Sequence, residues 1–498
     1  MSNLFKSSVT IKVNCHGGIL PTGKLVSLLA VLKSMDITGI QFGLRQCIYF
    51  QVDKSRLSLF YSAIEKTAIP FERNPEECPN VVSSYPGAEI FNTHSWLSEG
   101  VYKDILDSMD FKPRLKININ DYNQSFTPFF TGNINWIASD SAPHFWYLYL
   151  RLPKGNTILS WEEMVYTNDL MAYSRVLDDF LSDHPITQPD QLESAVLFLK
   201  KRLKRSGWIT REKEHELNLP EFTLPYYEGL NPYNDRFWLG IYQRNETYAL
   251  PFLQDLCALA RESHIGQLCI TPWKSIIIKG IGEKNKPGWD LLLARHHINI
   301  RHALNELNFQ LEDHSPDGLK LKKHLVHQFN TDDVRTHGIC FGIKTRQKSE
   351  VFSSILINKR YLVNWLGIRG LPVYDILVAK NFNPNERTEY KFRSGLFRYL
   401  LADQLMLCID SYYRSQTITA ARNEPVNPVV TSSVPESEPI YVLQCTRCLT
   451  LAGPGLKGST GSLDEDSLDN IVCSVCDSDV RYFQKIDLSS LEPVLLSP

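Results

Sequence analysis

Four cysteines near the C-terminus carry the clearest chemistry in the chain. Cys445-Thr446-Arg447-Cys448 is followed, after 24 residues, by Cys473-Ser474-Val475-Cys476, two C-x2-C pairs. Each pair bends the backbone so that both thiolates face one point, and two such knuckles facing each other make a tetrahedral S4 site closed to solvent ligands. Softness and geometry fit either zinc, which would be structural, or a single iron, which would cycle by one electron. The four cysteines alone do not choose. The other seven, Cys15, Cys47, Cys78, Cys257, Cys269, Cys340 and Cys408, have no paired spacing and are expected to stay reduced as small buried apolar residues.

The segment that must position the knuckles, residues 440–498, is too short and too poor in large apolar side chains to hold together without a staple. In a chain without a secretory leader that staple is expected to be a metal rather than disulfides. Residues 416–439 before it contain four prolines, many small polar residues and no aromatic. This composition marks an extended, semi-flexible linker.

At 498 residues the chain is too long for one core, and about 150 residues per domain gives roughly three domains. Lys and Arg total 53 against 55 Asp and Glu, so no overall field favours nucleic acid or an anionic membrane. Hydrophobic residues at 43% and charged residues at 22% place most of the chain among folded sequences. No stretch approaches the roughly 20 apolar residues that span a bilayer. A cytoplasmic protein with no membrane and no nucleic-acid partner is expected.

In the first half, Val9 to Val13 reads as a strand, Gly17 to Gly23 as a turn, and Lys24 to Met35 as a helix with Leu25, Leu28, Leu29 and Leu32 on one face. A second strand, Gln46 to Val52, precedes a helix around Leu57 to Lys66. A similar order returns later: helix Leu250 to Glu262, strand Ile270 to Ile278, and a helix over Trp289 to His297. The pattern predicts an α+β fold with an internal duplication. Between the copies, Gln191 to Arg205 reads as a helix ending in five cations over six positions, which suit the negative end of a helix dipole.

Tyr441-Val442 leads into the first knuckle, Leu468 to Val472 into the second, and Phe483 follows Cys476 by seven residues. The segment resembles a rubredoxin domain. That resemblance implies one iron ion held by Cys445, Cys448, Cys473 and Cys476. Leu449 and Asp477 stand where the family usually has Gly, and Ile471 where it usually has Trp. Gly at such a position permits positive φ and lets backbone N–H groups approach sulfur, which stabilises the reduced site. A structural zinc ribbon is therefore the alternative.

Val13 to Val52, with its strand, Gly17-Gly18 turn, helix, Gly39-Ile40 and Arg45-Gln46 running into a strand, resembles the ferredoxin-like half domain of siroheme-containing nitrite and sulfite reductases. Gly266 to Thr271 running into Ile276 to Ile281 repeats the motif. In that family a four-iron cluster is ligated by C-x5-C and C-x3-C. No two cysteines here have five or three residues between them, and Asp121 and Ser125 occupy the positions of one such pair. Cys269, Trp273 and Lys274 stand where the family prefers Arg, Arg and Gln. Siroheme and the four-iron cluster are accordingly not expected.

Other signals are weaker. Gly18 to Lys24 fits G-x4-G-K, but Leu25 replaces the Mg²⁺-binding Ser or Thr and Pro21 lacks an N–H, so a helix-start turn is expected. His324 and His327 share a helical face, and His296, His297 and His302 lie nearby, without a Cys or carboxylate spacing that completes a metal site. Arg45 reads either as an anion ligand or as a paired Arg at a strand start.

The resulting expectation is a first reductase-like repeat at 1–205 (half domain at about 9–70), a second at 206–415, a linker at 416–439 and a rubredoxin-like domain at 440–498. The expected function is electron transfer on a mononuclear Fe(Cys)4 site, serving a reductase or its electron donor in nitrite or sulfite metabolism. The chain reads as a redox carrier rather than a complete reductase. The alternative is a non-catalytic scaffold with a zinc ribbon.

Overall fold

The computed structural model describes residues 8–91, 95–152, 158–184, 190–204, 207–346, 351–365, 368–386, 389–423, 441–446, 451–452, 481 and 483–487. The chain forms two units, Met1–Ile418 and Thr419–Pro498.

The first unit begins with β1 (Ser8–Asn14), β2 (Ile19–Pro21), α1 (Thr22–Ser34), β3 (Gly39–Phe42), β4 (Cys47–Asp53) and α2 (Leu57–Glu65). β1 and β4 pair antiparallel along their whole length, from Ser8↔Asp53 to Asn14↔Cys47. Helix α1 buries Leu25, Leu28, Leu29 and Leu32, spaced as one helical stripe. Each such leucine contributes roughly 1.5–3 kcal/mol on leaving water.

An α/β layer follows: β5 (Val82–Ser83), α3 (Glu99–Asp107), β6 (Ile117–Asn120), β7 (Ile134–Ala138), β8 (Phe145–Arg151), β9 (Ile158–Ser160), β10 (Glu163–Tyr166), α4 (Leu170–Asp183), α5 (Asp190–Lys204) and β11 (Thr210–Glu212). The strands lie in the order β11-β10-β8-β7-β6-β5, with β9 on β8. β5, β6 and β7 run parallel, and β8 turns back against β7.

The same two layers then recur. β12 (Gly229–Tyr233), β13 (Arg236–Ile241), β14 (Tyr248–Ala249), α6 (Leu250–Glu262), β15 (Gln267–Ile270), β16 (Ile276–Ile281) and α7 (Lys286–Arg295) repeat the half domain. α8 (Leu304–Leu307), β17 (Phe309–Leu311), α9 (Pro316–Thr331), β18 (Phe341–Lys344), β19 (Ile355–Trp365), β20 (Ile368–Ala379), β21 (Glu389–Leu396) and α10 (Arg398–Asn423) repeat the α/β layer. Here too three parallel strands, β17, β18 and β19, are followed by an antiparallel one. α1 starts at residue 22 and α6 at 250, while β4 starts at 47 and β16 at 276, so the half-domain repeat is 228 or 229 residues.

The two half domains exchange strands. β14 completes the sheet β1-β4-β3-β14, and β2 completes β12-β13-β16-β15-β2. One core lies between them, with α1, α2, α6 and α7 contributing Leu29, Phe60, Leu253 and Trp289.

Three sequence expectations change. Ile270 to Ile278 is not one strand: β15 ends at Ile270, Thr271 and Ser275 close a turn, and Lys274 takes a left-handed φ of 56°. Pro272, which has no N–H to give a ladder, sits in that turn. Within the G-x4-G-K stretch, Ile19 to Pro21 pairs with Cys269 to Gln267, so its backbone serves a sheet. Helix α10 runs through residues 416–423, the start of the stretch read as linker, where Ala420, Ala421 and Arg422 favour helix.

In the second unit, β22 (Tyr441–Cys445), β23 (Leu451–Ala452) and β24 (Phe483–Asp487) form a sheet of order β23-β22-β24.

Candidate functional site

β22 delivers the chain to the first knuckle. Its last residue, Cys445, stands opposite Phe483, the first residue of β24, in an antiparallel ladder that continues to Tyr441↔Asp487. The approach to the first C-x2-C and the stretch after the second are therefore side by side. Cys448, Cys473 and Cys476 lie outside the described residues. A four-thiolate donor set drawn from two pairs, with its flanks tied by one ladder, fits a soft tetrahedral ion.

In the first unit the residues singled out from sequence mostly serve packing. Arg45 is buried, and its guanidinium donates to the carbonyls of Asn80 and Ile117 and to Asn118 Oδ1 at 2.7–3.2 Å, which makes it a strut between half domain and α/β layer. Asp121 is buried, and its N–H donates to Ser84 Oγ at 2.8 Å. Ser125 Oγ donates to the Thr223 carbonyl. Trp273 is buried in an aromatic seam with Tyr227, Phe126, Phe91 and Trp238, and its indole N–H donates to the Phe126 carbonyl at 2.8 Å. His302 bonds Glu228 at 2.7 Å and His296 bonds Asp255 at 2.9 Å. Among the described residues no three His, Cys, Asp or Glu side chains gather as metal ligands.

Six of the seven scattered cysteines are buried, Cys78 is half-buried, and all seven are free thiols. Burial pushes the Cys15, Cys257, Cys340 and Cys408 thiols up to about 12, which leaves them inert at neutral pH.

A charged cluster that sequence reasoning missed lies where the second half domain meets α9. Lys274 is buried, 2.8 Å from Glu246 Oε2 and 3.4 Å from Asp313 Oδ1. Burial pulls its ammonium down, but the two carboxylates outweigh that and hold it above the ordinary lysine value. Lys322, 2% exposed, donates to Tyr242 Oη at 2.6 Å and lies 4.8 Å from the centre of that ring. Burial lowers its pKa to about 8 despite attraction from Glu246 and Glu306. Arg244 grips the buried Glu306 with two bonds of 2.7 and 2.8 Å. Against the burial penalty, the Arg244 bond and the charges of Lys322 and His302 keep the Glu306 carboxyl below its usual range. The one signal in the sequence is that Lys322 interrupts the inward stripe Leu321, Leu325, Val326, Phe329 of α9.

No protein-family model matches the sequence, and no curated protein matches it. Among solved structures, the chain is similar to the NirA protein of Mycobacterium tuberculosis, with a TM-score of 0.63 and 11% identity over 81% of this chain and 81% of that one. The likeness is one of fold. Among the described residues no helix is long and apolar enough to cross a membrane.

Proposed function

We propose that the protein is a cytoplasmic electron carrier whose Cys445, Cys448, Cys473 and Cys476 hold one iron ion, serving a reductase or its electron donor in nitrite or sulfite metabolism. The observation that carries this reading is the Cys445↔Phe483 register, which sets the flanks of the two C-x2-C pairs beside each other. Iron held by four thiolates supplies one-electron exchange with little change in geometry. The chain contributes a short ladder that fixes where the first knuckle begins. What directs the proposal towards nitrite and sulfite chemistry is the resemblance of Val13 to Val52 to the half domain of the siroheme-containing reductases, together with the likeness of fold to the NirA protein.

The test is metal analysis and one visible spectrum of the full chain, expressed in iron-replete medium. The reading expects one iron per chain and thiolate-to-iron absorption that bleaches with dithionite. A colourless protein with one zinc overturns it and selects the second reading, an interaction scaffold with a zinc ribbon, which Leu449 and Asp477 favour.

A further inference from the structure

A cavity of about 230 Å³ lies where β10, α4, α5 and the approach to β11 meet. Tyr173 of α4 and Leu203 of α5, both buried, form its base, and Trp161, just before β10, lines it as well. Trp208 lines it from the approach to β11, its ring 5.7 Å from that of Tyr173. Gly207, with φ of 69°, makes the left-handed turn that delivers Trp208 there. Three aromatic side chains thus share one small space, whose size suits a single headgroup rather than a large cofactor.

The ionisable groups around it leave one carboxylate over. Glu162 and Glu163 line the cavity, and Lys200 is the one cation among its lining residues. Lys200 is committed to Glu162 at 2.6 Å. The Glu163 carboxylate makes no ion pair or side-chain hydrogen bond among the described residues. Across the β10–β11 ladder it stands opposite Glu212, a second acid, and like charges in that position repel. The cations next to Glu212 are taken, Arg211 by Glu214 and Lys213 by Glu216. The Glu163 charge also reaches the base of the cavity: burial raises the Tyr173 hydroxyl above its ordinary value, and Glu163 raises it further.

A cation held among these rings and beside Glu163 gains from both. A metal ion or a bare ammonium needs oxygen partners on several sides, whereas the two carboxylates here come from consecutive residues. Methyl groups on the nitrogen spread the charge over a surface that aromatic rings can cover. We propose that this cavity binds the methylated ammonium group of a small molecule. Trp161, Tyr173 and Trp208 enclose the methyl groups, and Glu163 supplies the counter-charge. The site uses none of the metal-knuckle residues.

The probe is choline chloride, exchanged for sodium chloride at constant ionic strength and followed by calorimetry on the full chain. Choline is expected to bind, and the neutral dimethylbutanol in which carbon replaces its nitrogen is expected to bind about tenfold more weakly or worse. Ethanolamine, which keeps the charge and lacks the methyl groups, is also expected to bind more weakly than choline. Glu163→Gln keeps the shape and removes the charge; it is expected to weaken choline about tenfold and to leave the neutral alcohol unaffected. Trp208→Leu is expected to weaken choline by a similar factor, and if that variant fails to fold, Glu163→Gln decides. No saturable heat with choline up to about 10 mM, equal affinity for the neutral alcohol or for ethanolamine, or unchanged choline affinity in Glu163→Gln each overturns the proposal.

Discussion

Gln46 and Lys274 are the same residue of the repeat, 228 positions apart, with φ of 55° and 56° in turns closed by the same pair of backbone bonds. Both are buried and both reach into the α/β layer of their own copy. Gln46 does so as a peptide mimic, accepting from Ser83 N at 2.8 Å and donating to Ser83 O at 2.9 Å. Lys274 does so as a charge, against Glu246, Asp313 and the Glu312 carbonyl. The repeat has kept the geometry of the joint and changed its chemistry.

Gln46→Ala is expected to cost about 3 kcal/mol, because it strands a buried N–H and a buried carbonyl of Ser83. Denaturant unfolding of the full chain measures it. A loss below about 1 kcal/mol would show that water or a rearranged neighbour satisfies both groups.

Lys274→Met is expected to cost about 2–4 kcal/mol, since Glu246 and Asp313 lose their shared cation in a largely buried site. The further change Glu246→Gln on that background should recover part of the loss. If the double variant is no more stable than the single, the ion pair is not what Lys274 provides.

Lys322 carries a pH signature. Its folded-state pKa of about 8 lies below the ordinary lysine value of 10.5, so the unfolded chain binds more protons between those values. The penalty for burying the charged form is complete below pH 8 and is relieved as pH rises towards 10.5. The stability difference between wild type and Lys322→Met should therefore move in favour of wild type by about 2 kcal/mol between pH 8 and about 9.5. The comparison must be a difference because the buried cysteines titrate in the opposite sense: their raised pKa values mean stability lost as pH climbs past the ordinary thiol value. A difference that stays flat with pH would place Lys322 in water.

Cys473→Ser is expected to remove the metal and its absorption while the unfolding of Met1–Ile418 stays in place, because Met1–Ile418 is a compact unit by itself. Joint loss of the body transition would mean that the knuckles also hold the first unit together.

Thiol labelling of the native chain at pH 8, mapped by mass spectrometry, should modify Cys78 and spare Cys15, Cys47, Cys257, Cys269, Cys340 and Cys408, which are buried. Rapid labelling of Cys15 would show that the Gly17-Gly18 turn opens.

The sequence is legible where a physical period repeats. Leu25, Leu28, Leu29 and Leu32 announce α1, and Leu253, Leu256 and Cys257 announce α6 in the same way. The aromatic and β-branched pair Tyr441-Val442 likewise announces an extended approach to the first knuckle, and β22 forms there. The strand exchange is not readable in the same manner, because β2 and β14 are three and two residues long and carry no alternation of their own. The inward turn of Lys322 is hidden for a different reason. A lysine beside leucines on a helix reads as a snorkelling surface residue, and only the meeting of α9 with Tyr242 and Arg244, some 80 residues earlier, turns it inward.

Because β2 borrows its edge from β15 and β14 borrows its edge from β3, neither copy owns a finished sheet. Each half of this chain therefore depends on the other for a sheet edge, while the equivalent joints at Gln46 and Lys274 carry different chemistry.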